Sequence, residues 1–254
     1  MSSAVDLLRF GNRVALVTGG YGGIGRSVAA GLAELGAKVA IAGRSAEKAE
    51  ACARSIGGYA APFDGLSVAD TGRMVDEVAS HYGRLDILVN CVGLNQEAKA
   101  EEFDEARWDY VVGANLKSAM FQAQAAARHM IRQGSGKQVH IGSVRTQLGI
   151  RGRGYAAYCA AKGGLAILCK QLAAEWAPHQ INVNVVAPTF VRTDMVAHML
   201  ADPNFYDALV ARIPLGRIAE PEDVRNAVLF FVSPAADFIT GQTLFLDGGI
   251  TATQ

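Results

Sequence analysis

The 254-residue chain is predicted to be a single α/β domain, a doubly wound parallel sheet of about seven strands with helices on both faces. Two observations support this fold class. Short, continuous apolar runs alternate with helical patterns along the chain, which is typical of parallel strands buried on both faces. Half of the residues are hydrophobic, and neither a Ser- or Pro-rich linker nor a block of like charge divides the sequence. We therefore expect one domain over residues 1–254.

Periodicity and breaker residues place the individual elements. The predicted strands cover residues 13–18, 38–42, 59–63, 85–91, 138–142, 181–187 and 243–246. The predicted helices cover residues 23–35, 46–56, 68–82, 104–133, 155–177 and 221–232. An irregular stretch begins at Pro188.

Composition narrows the class of protein. The 24 basic and 24 acidic residues give a net charge of zero, which argues against nucleic acid or an anionic membrane as the main partner. The four cysteines form no CxxC pair and lie at no metal-ligand spacing from histidines, so we expect reduced thiols, no metal site and a cytoplasmic protein. The start, MSSAVDLLRF, does not resemble a secretory signal, and no apolar run approaches the roughly 18 residues of a membrane span.

A glycine-rich turn, Thr18-Gly19-x-x-x-Gly23-x-Gly25, joins the first strand to the first helix. Glycines permit positive φ and close approach of a pyrophosphate, and a helix N-terminus presents free N–H groups. The turn therefore predicts a dinucleotide site of the Rossmann type at the carboxyl ends of the strands. Its spacing differs from the common GxGxxG, and a tight turn without a ligand is the alternative.

The end of the second strand bears on the choice of cofactor. NAD sites usually have an acid about 20 residues after the turn, where this chain has Gly43-Arg44-Ser45. An arginine suits a 2′-phosphate, so NADP(H) is favoured over NAD(H). The alternative is a solvated Arg44 that only stacks on adenine. Asp64 and Asn90, which end the third and fourth strands, could line the adenosine half, although either alone is more often a turn or cap residue.

Tyr158 and Lys162 are four residues apart and fall on one face of a predicted helix. A free phenol has a pKa of about 10, and a nearby ammonium is expected to lower it. The pair would then transfer protons near neutral pH. Tyr155 is a competing phenol, but Cys159 stands four residues after it, which favours Tyr158.

Further motifs complete a pattern spread over the chain. They are the turn at Thr18 to Gly25, Asn90-Cys91-Val92-Gly93, Asn115, Ser143, Tyr158-x-x-x-Lys162, Pro188 with Thr193, and Leu246-Asp247-Gly248-Gly249. Together they resemble the short-chain dehydrogenase/reductase family in its compact form, from about Arg13 to Gly249. Cys91-Val92 and Pro188-Thr189 depart from the usual NNAG and PG of that family.

The resemblance implies an NAD(P)-dependent oxidoreductase that interconverts a secondary alcohol and a ketone. Tyr158 would be the general acid and base, Lys162 would lower its pKa and bind the nicotinamide ribose, and Ser143 would bind the substrate oxygen. Asn115 would hold a water that connects Lys162 to solvent. The implied cofactor contacts are Gly19, Tyr21, Gly22, Gly23, Ile24, Arg44, Asp64, Asn90, Val92, Gly93, Tyr158, Lys162, Pro188, Val191 and Thr193.

The resemblance also implies a homotetramer or homodimer, with the helix over 155–177 between subunits. Apolar residues on that helix are consistent with burial on more than one side. They are Leu165, Leu168, Leu172 and Trp176.

Substrate contacts are expected from Ser143, Arg145 and Tyr158. The interval between Ser143 and Tyr158 is longer than in many members of the family, and the extra loop at 149–154 resembles that of sugar and polyol dehydrogenases. Arg145 is the candidate for recognising an anionic or hydroxyl-rich substrate, whereas Arg151 and Arg153 are expected at the solvent or subunit surface.

The predicted substrate is therefore a sugar, a polyol or a similar polar carbonyl compound. The stretch from 191 to 212 resembles the mobile lid of the family. One alternative is a reductase of 3-oxoacyl chains on acyl carrier protein, which a basic surface would favour. A second is a non-catalytic nucleotide-binding regulator, which would not need the four chemical residues.

Overall fold

One sheet of seven parallel strands forms the centre of the protein, in the order β3-β2-β1-β4-β5-β6-β7. The computed structural model describes residues 6–253, and residues 1–5 and 254 of the predicted domain lie outside the described residues. The strands are β1 (Val14–Thr18), β2 (Lys38–Gly43), β3 (Tyr59–Pro62), β4 (Ile87–Asn90), β5 (Gly136–Ile141), β6 (Ile181–Pro188) and β7 (Thr243–Leu246). The predicted doubly wound parallel sheet is confirmed.

Nine α-helices are found within residues 6–253. They are α1 (Gly23–Glu34), α2 (Ala46–Ser55), α3 (Val68–Tyr82), α4 (Glu105–Val112), α5 (Ser118–Gln133), α6 (Ala156–Trp176), α7 (Ala197–Leu200), α8 (Pro203–Val210) and α9 (Pro221–Val232). None of the helices in this range is long and apolar enough to cross a membrane.

Both faces of the sheet are covered. Side chains alternate along a strand, so Val14 and Leu16 of β1 pack in a core with α3, α5 and α6. Ala15 and Val17 point the other way, into a second core with α1, α2 and α9. Burial on both faces explains why the strands read as continuous apolar runs.

The strand order reverses beside β1, which pairs with β2 on one side and with β4 on the other. The loops that leave β1 and β4 diverge there and open a crevice at the carboxyl edge of the sheet. Thr18 and Asn90, the last residues of these two strands, are register partners. The polar and glycine residues that follow the strands therefore meet along one edge.

The helix predicted over 104–133 is interrupted between α4 and α5 by a π-helical turn at Gly113–Lys117. The cause is the Asn115 side chain. Its Nδ2 donates to the carbonyl of Val111, four residues earlier, at 2.8 Å, and to the carbonyl of Leu94 at 2.7 Å. A side chain that occupies this carbonyl competes with the backbone ladder, and such widened turns are frequent at functional sites.

The structure differs from two further predictions, which concern the stretch after β6 and the burial of α6. The stretch expected to be irregular contains α7 and α8, which pack around a small apolar cluster of their own. The apolar residues predicted to bury α6 on more than one side, Leu165, Leu168, Leu172 and Trp176, all pack against a single core cluster. The large apolar side chain that α6 leaves on its outer side is Ile167, which is 64% exposed.

Candidate active site

Two adjoining cavities run along the carboxyl ends of the strands. One, of about 270 Å³, lies against the glycine-rich turn and the end of β2. The other, of about 210 Å³, contains Ser143, Tyr158 and Lys162. The segment 91–94 and Met195 border both, so the two cavities form one trough. We refer to them as the nucleotide cavity and the substrate cavity.

The glycine-rich turn is shaped for a phosphate. Gly19 has φ +65°, and a Cβ there would lie 2.9 Å from the carbonyl group of Cys91, so a side chain is excluded. Helix α1 begins at Gly23, and its N-cap, Gly22, supplies no side-chain cap. The first N–H groups of the helix are therefore free to bind an anion. A Cβ on Gly23 would lie 2.5 Å from Cγ2 of Thr193, so this glycine lets Thr193 lie against the turn.

The far end of the nucleotide cavity has an aromatic ring and one charge of each sign. Arg44 is exposed and lines this cavity. Tyr21 and Asp64 also belong to the lining. The Tyr21 hydroxyl accepts a hydrogen bond from the Ser45 amide at 3.2 Å, which fixes the aromatic ring beside Gly43. Arg44 forms no ion pair with a carboxylate of the described residues, so its charge remains available.

Asn90 holds the backbone beside the trough and does not line the trough itself. Its side chain is buried, and its Oδ1 accepts hydrogen bonds from the Val92 amide at 2.9 Å and from the Thr18 hydroxyl at 3.2 Å. It orders the backbone that borders the trough, but neither Asn90 nor Gly23 is part of the cavity lining. The other predicted cofactor contacts line one cavity or both: Gly19, Tyr21, Gly22, Ile24, Arg44, Asp64, Val92, Gly93, Tyr158, Lys162, Pro188, Val191 and Thr193.

The hydroxyl groups of Ser143 and Tyr158 face each other in the substrate cavity. Ser143 caps a short 3-10 turn after β5, and its Oγ accepts the Arg145 amide at 3.2 Å. Tyr158 lies in the first turn of α6. Burial raises the Tyr158 pKa to about 12, against opposing effects from its hydrogen bond with Ser143 and from the Arg145 charge. The phenol is therefore protonated at neutral pH.

Lys162 lies close to Tyr158, as helical spacing predicts. Its Nζ donates to the carbonyl of Ile141 at 2.9 Å and lies over the Tyr158 ring, 5.6 Å from the ring centre. Burial lowers the Lys162 pKa to about 8. The effects that lower the Tyr158 pKa here include its hydrogen bond with Ser143 and the Arg145 charge, and a contribution of Lys162 stays a prediction.

Asn115 and Lys162 meet beneath Gly93. A Cβ on Gly93 would lie 3.1 Å from Asn115 Oδ1 and 3.3 Å from Lys162 Nζ. Asn115 Oδ1 is buried and has no hydrogen-bond partner among the described residues. This orphaned acceptor lies next to the lysine, and buried polar atoms of this kind commonly bind a water.

The three arginines of the substrate side differ in environment. Arg145 is buried, and its Nη1 donates to the carbonyls of Leu148 and Gly149. Arg153 forms a bidentate ion pair with Glu97, and its expected place at the solvent or subunit surface stays a prediction. Arg151 is exposed and lies outside the cavity lining.

Sequence reasoning missed Asn95 and did not assign Phe190 to the site, yet both line the substrate cavity. Both polar atoms of the Asn95 side chain are buried without a partner among the described residues. Asn95 belongs to the loop after β4, so the rule that selected Asn90 would also have found it. Phe190 follows β6 and packs beside the small apolar cluster of α7 and α8, and it reaches the cavity from there.

The trough and its paired hydroxyls define a nicotinamide-dependent oxidoreductase of alcohol and carbonyl groups. The family described as Enoyl-(Acyl carrier protein) reductase matches residues 19–251. The gluconate 5-dehydrogenase of Gluconobacter oxydans (strain 621H) is 38% identical over 256 residues, with 98% of each chain covered. The chain belongs to the short-chain dehydrogenase/reductase family.

Two other similarities concern ligands. The D-threitol dehydrogenase of Mycolicibacterium smegmatis (strain ATCC 700084 / mc(2)155) is 38% identical over 248 residues, covering 96% of this chain and 94% of that protein. The crystal structure of a gluconate 5-dehydrogenase from Burkholderia cenocepacia J2315 in complex with NADP and tartrate has a TM-score of 0.95 and 37% identity, covering 99% of this chain and 100% of that chain.

Proposed function

We propose that this enzyme interconverts a secondary alcohol and a ketone of a sugar, sugar acid or polyol, with NADP(H) favoured over NAD(H). The observation that carries the proposal is the facing pair of hydroxyls, Ser143 and Tyr158, in a cavity that continues into a phosphate-binding turn. Relatives named for gluconate and threitol support the substrate class.

A bound nicotinamide coenzyme would supply the hydride in reduction and accept it in oxidation. The protein moves the proton. In reduction, Tyr158 gives its phenolic proton to the carbonyl oxygen, and Ser143 donates a hydrogen bond to the same oxygen as negative charge develops there. Alcohol oxidation runs in reverse, with the Tyr158 phenolate taking the hydroxyl proton. Because burial holds the Tyr158 pKa at about 12, the acid form is the resting form at neutral pH.

Proton resupply would run through Lys162 and Asn115. Lys162 Nζ is anchored by the Ile141 carbonyl at 2.9 Å, and the unpartnered Asn115 Oδ1 lies next to it. A water between Nζ and Oδ1 would connect the buried site to solvent. The lowered Lys162 pKa, about 8, suits a group that gives and takes a proton near neutrality.

The preference for NADP(H) rests on Arg44. Its free charge lines the nucleotide cavity, and residues 43–45 contain no acid that would bind a ribose 2′-hydroxyl. The NADP complex of the Burkholderia protein supports this preference. Arg44→Ala should raise KM for NADPH about tenfold or more and leave KM for NADH nearly unchanged, the size expected for a lost charge-assisted hydrogen bond.

One experiment tests the function. NADPH and NADH turnover is measured against ketoses, keto-sugar acids, diketones and 3-oxoacyl thioesters, with wild type, Tyr158→Phe and the matched control Tyr155→Phe. The expected result is activity on polyhydroxylated substrates that Tyr158→Phe abolishes and Tyr155→Phe retains in part. Preferential turnover of 3-oxoacyl thioesters would favour the carrier-dependent reductase. Coenzyme binding without turnover, unchanged in Tyr158→Phe, would favour the regulator.

We also propose a homotetramer or homodimer in the cytoplasm. Exposed large apolar side chains support assembly, among them Ile167 on α6 and the fully exposed Phe238 before β7. The four cysteines form no disulfide, which suits a reducing compartment. Light scattering of the wild type beside Ile167→Glu and Phe238→Glu measures the subunit number and identifies which surface forms the contact.

A further inference from the structure

The charges that line the substrate cavity are all of one sign. Among the described residues of the lining, the charged side chains are Arg145 and Lys162, with no Asp or Glu. Lys162 Nζ donates one hydrogen bond to the Ile141 carbonyl and lies over the Tyr158 ring, on the coenzyme side of the proposed proton path. Arg145 is the other positive charge of the lining, two residues after Ser143. A basic cavity wall attracts an anionic ligand.

Arg145 is also a buried cation without a counter-ion. It is 7% exposed and forms no ion pair with the described residues, whereas Arg153 in the same loop is paired with Glu97. A buried, uncompensated charge is costly, so such groups usually have a partner. For Arg145 the partner is not supplied by the described part of the chain.

The guanidinium is held ready for a ligand. Nη1 donates to the carbonyls of Leu148 and Gly149, which fix the plane of the group at the base of the loop. Nε and Nη2 make no hydrogen bond to the described residues. The free Nε–H and Nη2–H groups lie side by side on one edge of the guanidinium, which matches the two oxygens of a carboxylate.

We propose that Arg145 binds a carboxylate of the substrate, so that the enzyme acts on sugar acids in preference to the neutral polyols of the same carbon skeleton. This inference rests on the proposed function and narrows its substrate class. Arg145 follows Ser143 by two residues, and the Arg145 amide donates to Ser143 Oγ at 3.2 Å. The carboxylate would thus bind on the same wall as the oxygen that is oxidised or reduced.

A competing role for Arg145 is purely electrostatic. Its charge lowers the Tyr158 pKa, so it could support the phenolate without touching the substrate. The two roles differ in what they predict for different substrates. Support of the phenolate affects every substrate equally, whereas carboxylate binding affects only acids.

The test compares D-gluconate with D-glucitol, which share a carbon chain and differ at C1 in carboxylate against hydroxymethyl. kcat/KM for oxidation is measured for wild type, Arg145→Met, Arg145→Lys and the control Arg151→Met. Methionine retains the packing of the aliphatic stem, and Arg151 is an exposed arginine of the same loop outside the cavity. Binding of both compounds is also measured by calorimetry with NADPH present, since an alcohol cannot react with the reduced coenzyme.

We expect Arg145→Met to lower kcat/KM and affinity for D-gluconate about 10- to 100-fold relative to D-glucitol, the range for a lost hydrogen bond to a charged group. Arg145→Lys should restore part of this loss, and Arg151→Met should leave the ratio unchanged. An equal loss for both compounds, or a wild type that does not bind D-gluconate, overturns the proposal. If neither compound is oxidised, the proposed function is still decided by the substrate panel, and the calorimetric ratio decides the role of Arg145.

Discussion

Asn115 joins the fold to the proposed proton path, and its replacement by alanine has a calculable cost. The substitution removes the Nδ2 donors to the carbonyls of Leu94 and Val111, at 2.7 and 2.8 Å. Leaving a buried acceptor unsatisfied costs about 1–3 kcal/mol. The bond to Val111 is buried and the bond to Leu94 is partly buried, so the free energy of unfolding should fall by about 2–4 kcal/mol. That is a large share of the roughly 5–15 kcal/mol typical of a folded protein.

Asn184 in β6 is a matched control. It is 1% exposed, its Nδ2 donates to the Ile239 carbonyl at 2.9 Å, and its Oδ1 accepts the Gln242 amide at 2.9 Å. Asn184→Ala therefore deletes the same side chain and two partly buried hydrogen bonds, but it does so away from the trough. The two variants should lose similar stability, and only one of them should lose its proton path.

Urea unfolding measures the stability of both variants, and kcat is then measured at a temperature where circular dichroism shows both to be folded. We expect kcat to fall tenfold or more in Asn115→Ala, about 1.4 kcal/mol of activation free energy, and to stay within about twofold in Asn184→Ala. A stability loss below about 1 kcal/mol for Asn115→Ala would show that the two hydrogen bonds are not buried as described. Equal kcat losses in both variants would show that Asn115 supports the fold and has no separate role in proton transfer.

Two other predictions concern the coenzyme and the phenol. Gly23→Ala places a Cβ 2.5 Å from Thr193 Cγ2, so the segment around Thr193 must move away from the glycine-rich turn. Coenzyme titrations should then give a KM about tenfold higher or more. An unchanged KM would contradict this packing. Because the Tyr158 pKa is raised to about 12, alcohol oxidation, which needs the phenolate, should speed up from about pH 7 to about pH 10, whereas ketone reduction, which needs the phenol, should not rise with pH. Initial rates in both directions, measured at constant ionic strength, provide the check. An oxidation rate that does not change with pH would show that formation of the Tyr158 phenolate does not control it.

Much of the site could be predicted because it depends on topology alone. In a doubly wound sheet the residues after each strand lie on one edge, so Gly19, Arg44 and Ser143 must converge even though the sequence separates them widely. Which side chains line the trough follows from that rule with few exceptions. Asn90 is one exception, since a buried amide that serves Thr18 and Val92 cannot be told from a ligand contact by its position in the chain.

The features that could not be predicted depend on distant contacts. The π-helical turn exists because Asn115 reaches Leu94, a residue of another loop, and no local pattern encodes that bond. The environment of Arg145 depends on the carbonyls of Leu148 and Gly149, which turn back toward it only in the folded loop. Helical spacing correctly brings Tyr158 and Lys162 together, but it says nothing about whether Nζ meets the hydroxyl or the ring.

Burial favours the uncharged form of both catalytic groups, since it raises the pKa of the Tyr158 phenol and lowers that of the Lys162 amine. Arg145 is a second positive charge near the phenol, and it lowers the Tyr158 pKa. If a carboxylate neutralises Arg145, that effect weakens and the phenol holds its proton more firmly. Because the phenol is already protonated at neutral pH, this effect would act on oxidation, where an anionic substrate would make the Tyr158 phenolate harder to form than a neutral polyol would. The charge of the substrate and the ease of forming the phenolate would then be linked through Arg145.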